Sequence, residues 1–160
     1  MDKDMPLESV KEEITEALRK YPNKRSAVMD VLRIAERAAG GHVTKEAMDE
    51  IARLLEMRPV EVNSAATFYT MYSVARPVGR HRIWVCRNIS CSLLGAEHII
   101  AHLERALGVK TGETTPDKKF TLDVAECLGS CGTSPMMQID DDYYENLTEA
   151  KIDEILKGLK

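Results

Sequence analysis

The sequence lacks the features that mark several large classes of protein. No stretch of about eighteen apolar residues runs unbroken, and the first residues have neither the basic nor the apolar segment of a secretory signal. The 26 acidic and 22 basic residues are mixed along the chain, so no concentrated positive field exists to bind a phosphate backbone. We therefore predict a cytoplasmic protein without nucleic-acid binding or direct membrane contact. Any association with the cytoplasmic face of a membrane is expected to come through partner subunits.

The sequence also lacks the short motifs of nucleotide-binding and dithiol enzymes. No G-x-G-x-x-G follows a predicted strand and no Walker-type loop is present, so no segment is suited to cradle a dinucleotide or a nucleoside triphosphate. The C-x-x-C motif of dithiol redox enzymes is absent as well. No nucleophile, base and orienting group can be assigned from the sequence. We predict no catalytic residue in this chain, which leaves the role of an electron carrier.

Four cysteines carry the chemistry that the sequence does offer. Cys86 and Cys91 are separated by RNIS, Cys127 and Cys131 by LGS, and 35 residues lie between the two pairs. In a reducing cytosol structural disulfides are disfavoured, which favours metal binding. Four thiolates that converge can hold either a 2Fe-2S cluster or a tetrahedral zinc ion. The spacing alone leaves both alternatives open.

The first half of the chain has the apolar spacing of helices. Two helices are predicted over Leu7 to Tyr21 and Ser26 to Ala39, with the Gly40–Gly41 pair ending the second. Thr44 is predicted to cap a third helix, and Pro59 is suited to the first position of a fourth. These segments predict a small helical unit.

The second half alternates between strands and helices. Two β-rich runs, Arg82 to Cys86 and Phe120 to Glu126, each end at a cysteine. The full predicted order is strand, helix, three strands and a helix, at 82–86, 94–107, 120–126, 136–139, 143–146 and from Thr148 onward. This order is compatible with a small sheet flanked by helices, thioredoxin-like in outline. Both cysteine pairs are predicted to lie in loops at strand ends, where side chains can meet around one cofactor.

Three segments resemble a known family. They are CRNISCSLLGAE at 86–97, GETTPDKKFTLDVAECLGSCGTSPMMQID at 112–140, and ATFYTMY at 66–72. They look like the thioredoxin-like 2Fe-2S subunit of NADH:quinone oxidoreductase (respiratory complex I), a family shared with small subunits of NAD-linked hydrogenases and formate dehydrogenases. By this resemblance the 2Fe-2S cluster is held by four ligands, each pair serving one iron: Cys86, Cys91, Cys127 and Cys131.

The resemblance also implies an architecture. The fold class is α+β, with an N-terminal helical bundle followed by a thioredoxin-like α/β ferredoxin domain. ARPVGR at 75–80 contains a proline and a glycine and marks the boundary. We therefore predict a helical docking domain over residues 1–78 and a thioredoxin-like 2Fe-2S domain over residues 79–160.

The function that the resemblance implies is one-electron transfer within an NADH dehydrogenase-type complex. The expected partner is an NADH/FMN-binding flavoprotein subunit of a larger multi-subunit redox complex, with FMN and NAD(H) on that partner and not on this chain. A subunit of an NAD-dependent or electron-bifurcating hydrogenase, or of a formate dehydrogenase, is one alternative. A zinc-stabilised interaction module and a free-standing ferredoxin are the others.

A few further residues are candidates for roles near the site. His98 and His102 lie four apart on a predicted helix, where we expect them to face solvent, since the H-E-x-x-H order of a zinc site is absent. Ser90 and Ser130 could donate hydroxyl hydrogen bonds to the cysteines, although serine is common in loops for other reasons. The resemblance implies that Pro135 lies beside the site, and the sequence leaves its cis or trans state open.

Overall fold

A computed structural model describes residues 7–74 and 76–159 of the chain. Residues 1–6 of the predicted helical domain, Ala75 of the predicted boundary and the terminal Lys160 lie outside the described residues. The chain divides into two compact units, Met1–Pro77 and Val78–Lys160. Each unit has a hydrophobic core of its own.

The first unit is helical. Its α-helices are α1 Lys11–Arg19, α2 Val28–Ala38, α3 Lys45–Leu54 and α4 Pro59–Phe68, with single 3-10 turns at Glu8–Val10 and Lys24–Ala27. Gly40 and Gly41 follow α2 with φ angles of 75° and 96°, a left-handed backbone that ends a helix readily. The Thr44 hydroxyl accepts a hydrogen bond from the Ala47 N–H at 3.1 Å, as predicted for a cap. Pro59 is the first residue of α4, also as predicted.

A carboxylate secures the start of α4. Glu61 Oε2 accepts a hydrogen bond from the backbone N–H of Arg58 at 2.9 Å, and Glu61 Oε1 accepts one from the Arg25 guanidinium at 2.7 Å. The backbone hydrogen bond from Arg58, followed by those of the two guanidinium groups, lowers the pKa of Glu61 to about 2. The ionised carboxylate therefore joins the segment before α2 to α4.

The second unit is a five-stranded sheet with three helices. Its elements are β1 His81–Cys86, α5 Ile89–Leu93, α6 Ala96–Leu107, β2 Glu113–Thr114, β3 Phe120–Ala125, β4 Met137–Ile139, β5 Asp142–Tyr144 and α7 Glu149–Gly158. The strand order is β2-β3-β1-β4-β5. The central strands β1 and β3 are parallel, and every other neighbouring pair is antiparallel. The buried core contains Ile83, Val85, Leu103, Leu122 and Ile152.

One predicted helix begins later than expected, and a short helix precedes it. The sequence predicted a helix from Leu94, but Gly95 adopts a left-handed φ of 97° and α6 begins at Ala96. The five-residue helix α5 lies before this break and contains Cys91. The prediction that all four cysteines lie in loops is therefore wrong for Cys91. A helix of little more than one turn is too short to produce a readable apolar period.

The prediction of a solvent-facing histidine pair is wrong for one of the two residues. The His102 side chain is only 14% exposed; its Nε2 lies 2.8 Å from Asp153 Oδ1 and its Nδ1 3.2 Å from Glu149 Oε1. The His98 side chain is 69% exposed, with Nε2 at 3.0 Å from the same Glu149 oxygen. The helical wheel of α6 did not reveal this arrangement, because both carboxylates come from α7, which packs against α6.

Candidate metal centre

The parallel pair β1 and β3 brings the two cysteine-bearing segments together. Cys86, the last residue of β1, lies in register with Ala125, the last residue of β3. The Arg87 N–H continues the pairing with a 2.9 Å hydrogen bond to the Ala125 carbonyl. Because the carboxyl ends of parallel strands meet at one edge of a sheet, Cys127 emerges beside Cys86. The Cys86 thiol interacts with the thiols of both Cys91 and Cys127.

The first cysteine pair is buried. Cys86 is 2% and Cys91 1% exposed, and both pack with Ala96 and Met136 in a small apolar cluster, against which Leu128 also packs. The short helix α5 turns the chain back after Cys86, so that Cys91 points into the same cluster. This packing keeps water away from two of the four candidate ligands.

The hydrogen bonds around Cys86 favour its charged form. Burial acts to raise the pKa of the Cys86 thiol. The backbone N–H groups of Asn88 and Leu128 and the thiols of Cys91 and Cys127 outweigh burial, so the pKa lies below its usual value. The thiolate is the form that binds metals. At Cys91 burial prevails and, with the neighbouring Cys86, raises the pKa of that thiol.

The second cysteine pair lies on an exposed loop that polar contacts hold in place. Cys127 and Cys131 are both exposed, and Cys131 begins a 3-10 turn, Cys131–Thr133. The Tyr143 hydroxyl donates to the Leu128 carbonyl at 2.6 Å. Glu145 accepts hydrogen bonds from the hydroxyls of Ser130 and Thr133, the second at 2.6 Å. Strand β5 and the residue after it thus anchor both ends of this loop.

Ser134 connects the two cysteine pairs. Its Oγ lies 3.2 Å from Cys91 Sγ and donates a hydrogen bond to the Cys131 carbonyl at 3.0 Å. Ser130, a predicted donor to the cysteines, instead bonds Thr133 and Glu145. The signal that could have identified Ser134 is its position directly before Pro135, which the sequence had placed beside the site. The Ser134–Pro135 peptide bond is cis.

The donor set fits a two-iron cluster. In the described ranges, 7–74 and 76–159, no three or more His, Cys, Asp or Glu side chains are arranged to hold a single metal ion. A 2Fe-2S cluster is bound by four thiolates distributed over two irons, so it requires two pairs of ligands. Two close thiol pairs, one buried and one exposed, supply that pattern.

Comparison with known proteins identifies the class. The model of the family described as Thioredoxin-like [2Fe-2S] ferredoxin matches residues 14–160. The chain belongs to this family.

The relatives are components of larger enzymes. The matching component of NADH-quinone oxidoreductase from Rhizobium meliloti (strain 1021) is 43% identical over 152 residues, covering 95% of this chain and 89% of that protein. The matching component of the same enzyme from Rickettsia conorii (strain ATCC VR-613 / Malish 7) is 44% identical over 147 residues, 91% of this chain and 87% of that protein. A chain of the NAD+-reducing [NiFe]-hydrogenase in the H2-reduced state shares the fold, with a TM-score of 0.64 and 22% identity over 72% of this chain and 20% of that one.

Family membership confirms the main predictions from the sequence. The 2Fe-2S cofactor and the thioredoxin-like fold preceded by helices are both as predicted. No helix in the described part of the chain is long and apolar enough to cross a membrane.

Proposed function

We propose that this chain is the 2Fe-2S electron-carrier subunit of an NADH-quinone oxidoreductase-type complex. Relatives named as subunits of that enzyme match nearly the full length of the chain at 43% and 44% identity. The structural observation that carries the proposal is the meeting of the Cys86, Cys91 and Cys127 thiols at the carboxyl edge of the parallel strands. Ser134 links the fourth cysteine, Cys131, to the same place.

The ligand assignment is part of this proposal. Cys86 and Cys91 hold one iron from the buried side, and Cys127 and Cys131 hold the other from the exposed loop. When bound, the cluster takes up and releases one electron at a time. The chain supplies the thiolates, the Asn88 and Leu128 N–H groups that stabilise charge on Cys86, and the apolar cover of the first pair. No residue of this chain needs to bind a substrate.

The exposure of the second pair supports a direction of approach for the electron partner. Since Cys127 and Cys131 are exposed while Cys86 and Cys91 are buried, electrons have their shortest path to the cluster through the loop at 126–134. The partner in this proposal is the NADH/FMN-binding flavoprotein subunit, with FMN and NAD(H) on that subunit. Residues 1–78 serve as the docking domain, and association with the face of a membrane occurs through other subunits.

The cofactor is tested by anaerobic purification, metal and sulfide analysis, and EPR before and after dithionite. We expect a brown protein with about two iron and two sulfide per chain and a spin-half signal on reduction. Serine variants at each of the four cysteines should lower the iron content, whereas Ser90→Ala, between the first two ligands, should keep it. Colourless protein with one zinc per chain would overturn the proposal in favour of a zinc-stabilised module.

The partner is tested by co-purification with candidate flavoproteins. The full chain should retain an NADH/FMN-binding subunit, and a variant lacking residues 1–74 should lose it while keeping its cluster. Undiminished binding by the truncated chain would refute the docking role of the helices. Recovery of a hydrogenase or a formate dehydrogenase flavoprotein would move the chain to one of those complexes.

A further inference from the structure

Ser134 occupies a fixed position between a buried cysteine and the exposed loop. The residue is 9% exposed, and its Oγ lies 3.2 Å from Cys91 Sγ and 3.0 Å from the Cys131 carbonyl oxygen. The backbone on both sides is held as well. The Thr133 carbonyl accepts from the Asn146 N–H at 2.7 Å, and the Pro135 carbonyl from the Leu147 N–H at 2.9 Å. The hydroxyl therefore has two defined neighbours.

The direction of the contact with Cys91 depends on the state of the sulfur. A serine hydroxyl has one proton to donate, and a thiol can donate weakly. While Cys91 is a thiol, its S–H can donate to Ser134 Oγ and the hydroxyl can donate to the Cys131 carbonyl. A metal-bound Cys91 is a thiolate without a proton and can only accept. The short Oγ–Sγ contact is then favourable only if the hydroxyl donates to sulfur, alone or shared with the carbonyl.

We propose that the Ser134 hydroxyl donates a hydrogen bond to the Cys91 sulfur of the bound cluster and thereby raises its reduction potential. The inference rests on the proposed function, because it takes Cys91 as a cluster ligand. Reduction adds negative charge to the cluster and its sulfurs, so a donor to sulfur stabilises the reduced form more than the oxidised form. The effect is enhanced because the contact lies in a buried, apolar setting. Ser134 is thus a positioning and tuning residue that does not bind iron.

The same loop offers a matched control. Ser130 also carries a hydroxyl close to a ligand, but this hydroxyl lies 2.8 Å from Thr133 Oγ1 and bonds the Glu145 carboxylate. Ser130→Ala removes the same chemical group from the same loop without removing a contact to sulfur. A general loosening of the loop would affect both alanine variants, whereas loss of the sulfur hydrogen bond affects only Ser134→Ala.

The experiment is a redox titration of the full cluster-loaded chain, followed by EPR and visible circular dichroism, with iron content measured for each variant. Ser134→Ala should have a more negative potential than the wild type, by up to a tenfold change in the equilibrium constant for reduction, or about 59 mV for one electron. Ser130→Ala and Ser134→Thr, which keeps a hydroxyl, should stay at the wild-type potential. An unshifted Ser134→Ala, or an equal shift in Ser130→Ala, would overturn the inference.

A second pair of variants covers the case in which Ser134→Ala does not retain the cluster. Ser134→Thr and Ser134→Val have the same shape and differ only in the hydroxyl, so their potentials give the same comparison. If Thr loads while neither variant without a hydroxyl does, the hydroxyl serves assembly and the tuning role is wrong. A wild-type chain without a 2Fe-2S cluster would refute the proposed function itself. A loaded wild type with an unshifted Ser134→Ala would refute this inference alone.

Discussion

Truncation of Met136 tests whether core packing supports the buried half of the site. Met136 is fully buried and packs against Cys86, Cys91 and Ala96. Its carbonyl also accepts a hydrogen bond from the Cys86 N–H at 3.2 Å. Met136→Ala keeps that backbone contact but leaves an empty volume directly beneath both cysteines. The variant therefore isolates the packing of the side chain.

The expected cost follows from the buried volume. The substitution removes three side-chain heavy atoms from a residue with 0% exposure. At about 0.8 kcal/mol for each buried methylene-sized group, the transfer contribution is about 2 kcal/mol. The cavity adds to this, and measured losses for such changes are about 2–5 kcal/mol. We expect the free energy of unfolding of the second unit to fall by about 3 kcal/mol.

The assay can follow the second unit by itself. Trp84 is the only tryptophan in the chain and lies in β1, two residues before Cys86. Its ring has the Arg82 guanidinium carbon 4.2 Å from the centroid, a contact that unfolding breaks. Tryptophan fluorescence of the cluster-free chain in a urea titration therefore reports unfolding around the site. In the loaded protein, the rate at which a chelator bleaches the cluster should rise in Met136→Ala.

Two controls separate packing from composition. Met136→Leu conserves volume and should cost less than about 1.5 kcal/mol. Ile89→Ala removes apolar atoms from a residue of α5 that is 71% exposed, and should change stability by no more than about 0.5 kcal/mol. The reasoning is refuted if Met136→Ala unfolds within about 1 kcal/mol of the wild type, or if Ile89→Ala is equally destabilised.

Three further predictions concern other parts of the chain. Thr121→Val should cost about 1 kcal/mol in urea unfolding of the second unit, with Thr121→Ser close to wild type, because the Gly79 N–H loses the hydroxyl acceptor that it has at 2.6 Å. Glu61→Gln should remove an acid-sensitive contribution from the first unit: since the pKa of Glu61 is lowered from 4.5 to about 2, its stabilisation is complete above pH 4.5 and is lost as the pH falls toward 2. Thermal melts at decreasing pH that run in parallel for wild type and variant would contradict this. Gly129→Ala should cost about 1 kcal/mol and speed iron release because its φ is 83°, whereas Gly132→Ala, with open space and no left-handed φ, should be tolerated.

The sequence predicted the elements whose signals are local and failed where tertiary contacts decide. The cap at Thr44, the start of α4 at Pro59 and the strand ending at Cys86 were all read correctly from residue type and spacing. The environment of His102 was not, because its partners are 47 and 51 residues away along the chain. Strand β2 was missed because two residues carry no alternation.

The contribution of Ser134 was missed for a related reason. The sequence drew attention to Ser90 and Ser130 because they lie between cysteines of the same pair. The hydroxyl that approaches a cysteine sulfur lies 43 residues from that cysteine and reaches it only when the loop after β3 folds over α5. Proximity along the chain is thus a poor guide to the hydrogen bonds of a site that two distant segments assemble.

The two halves of the site are held by different interactions, and this difference determines how each responds to change. The first pair depends on apolar packing, with Cys86 and Cys91 enclosed by Ala96 and Met136. The second pair lies on an exposed loop whose geometry depends on polar contacts to Tyr143 and Glu145. A rigid, water-free side limits solvent access to one iron, and an exposed side leaves the other open to an electron partner. A protein that only needed to store the cluster would gain from burying both pairs, so the exposed pair is best explained by the need to exchange electrons with another protein.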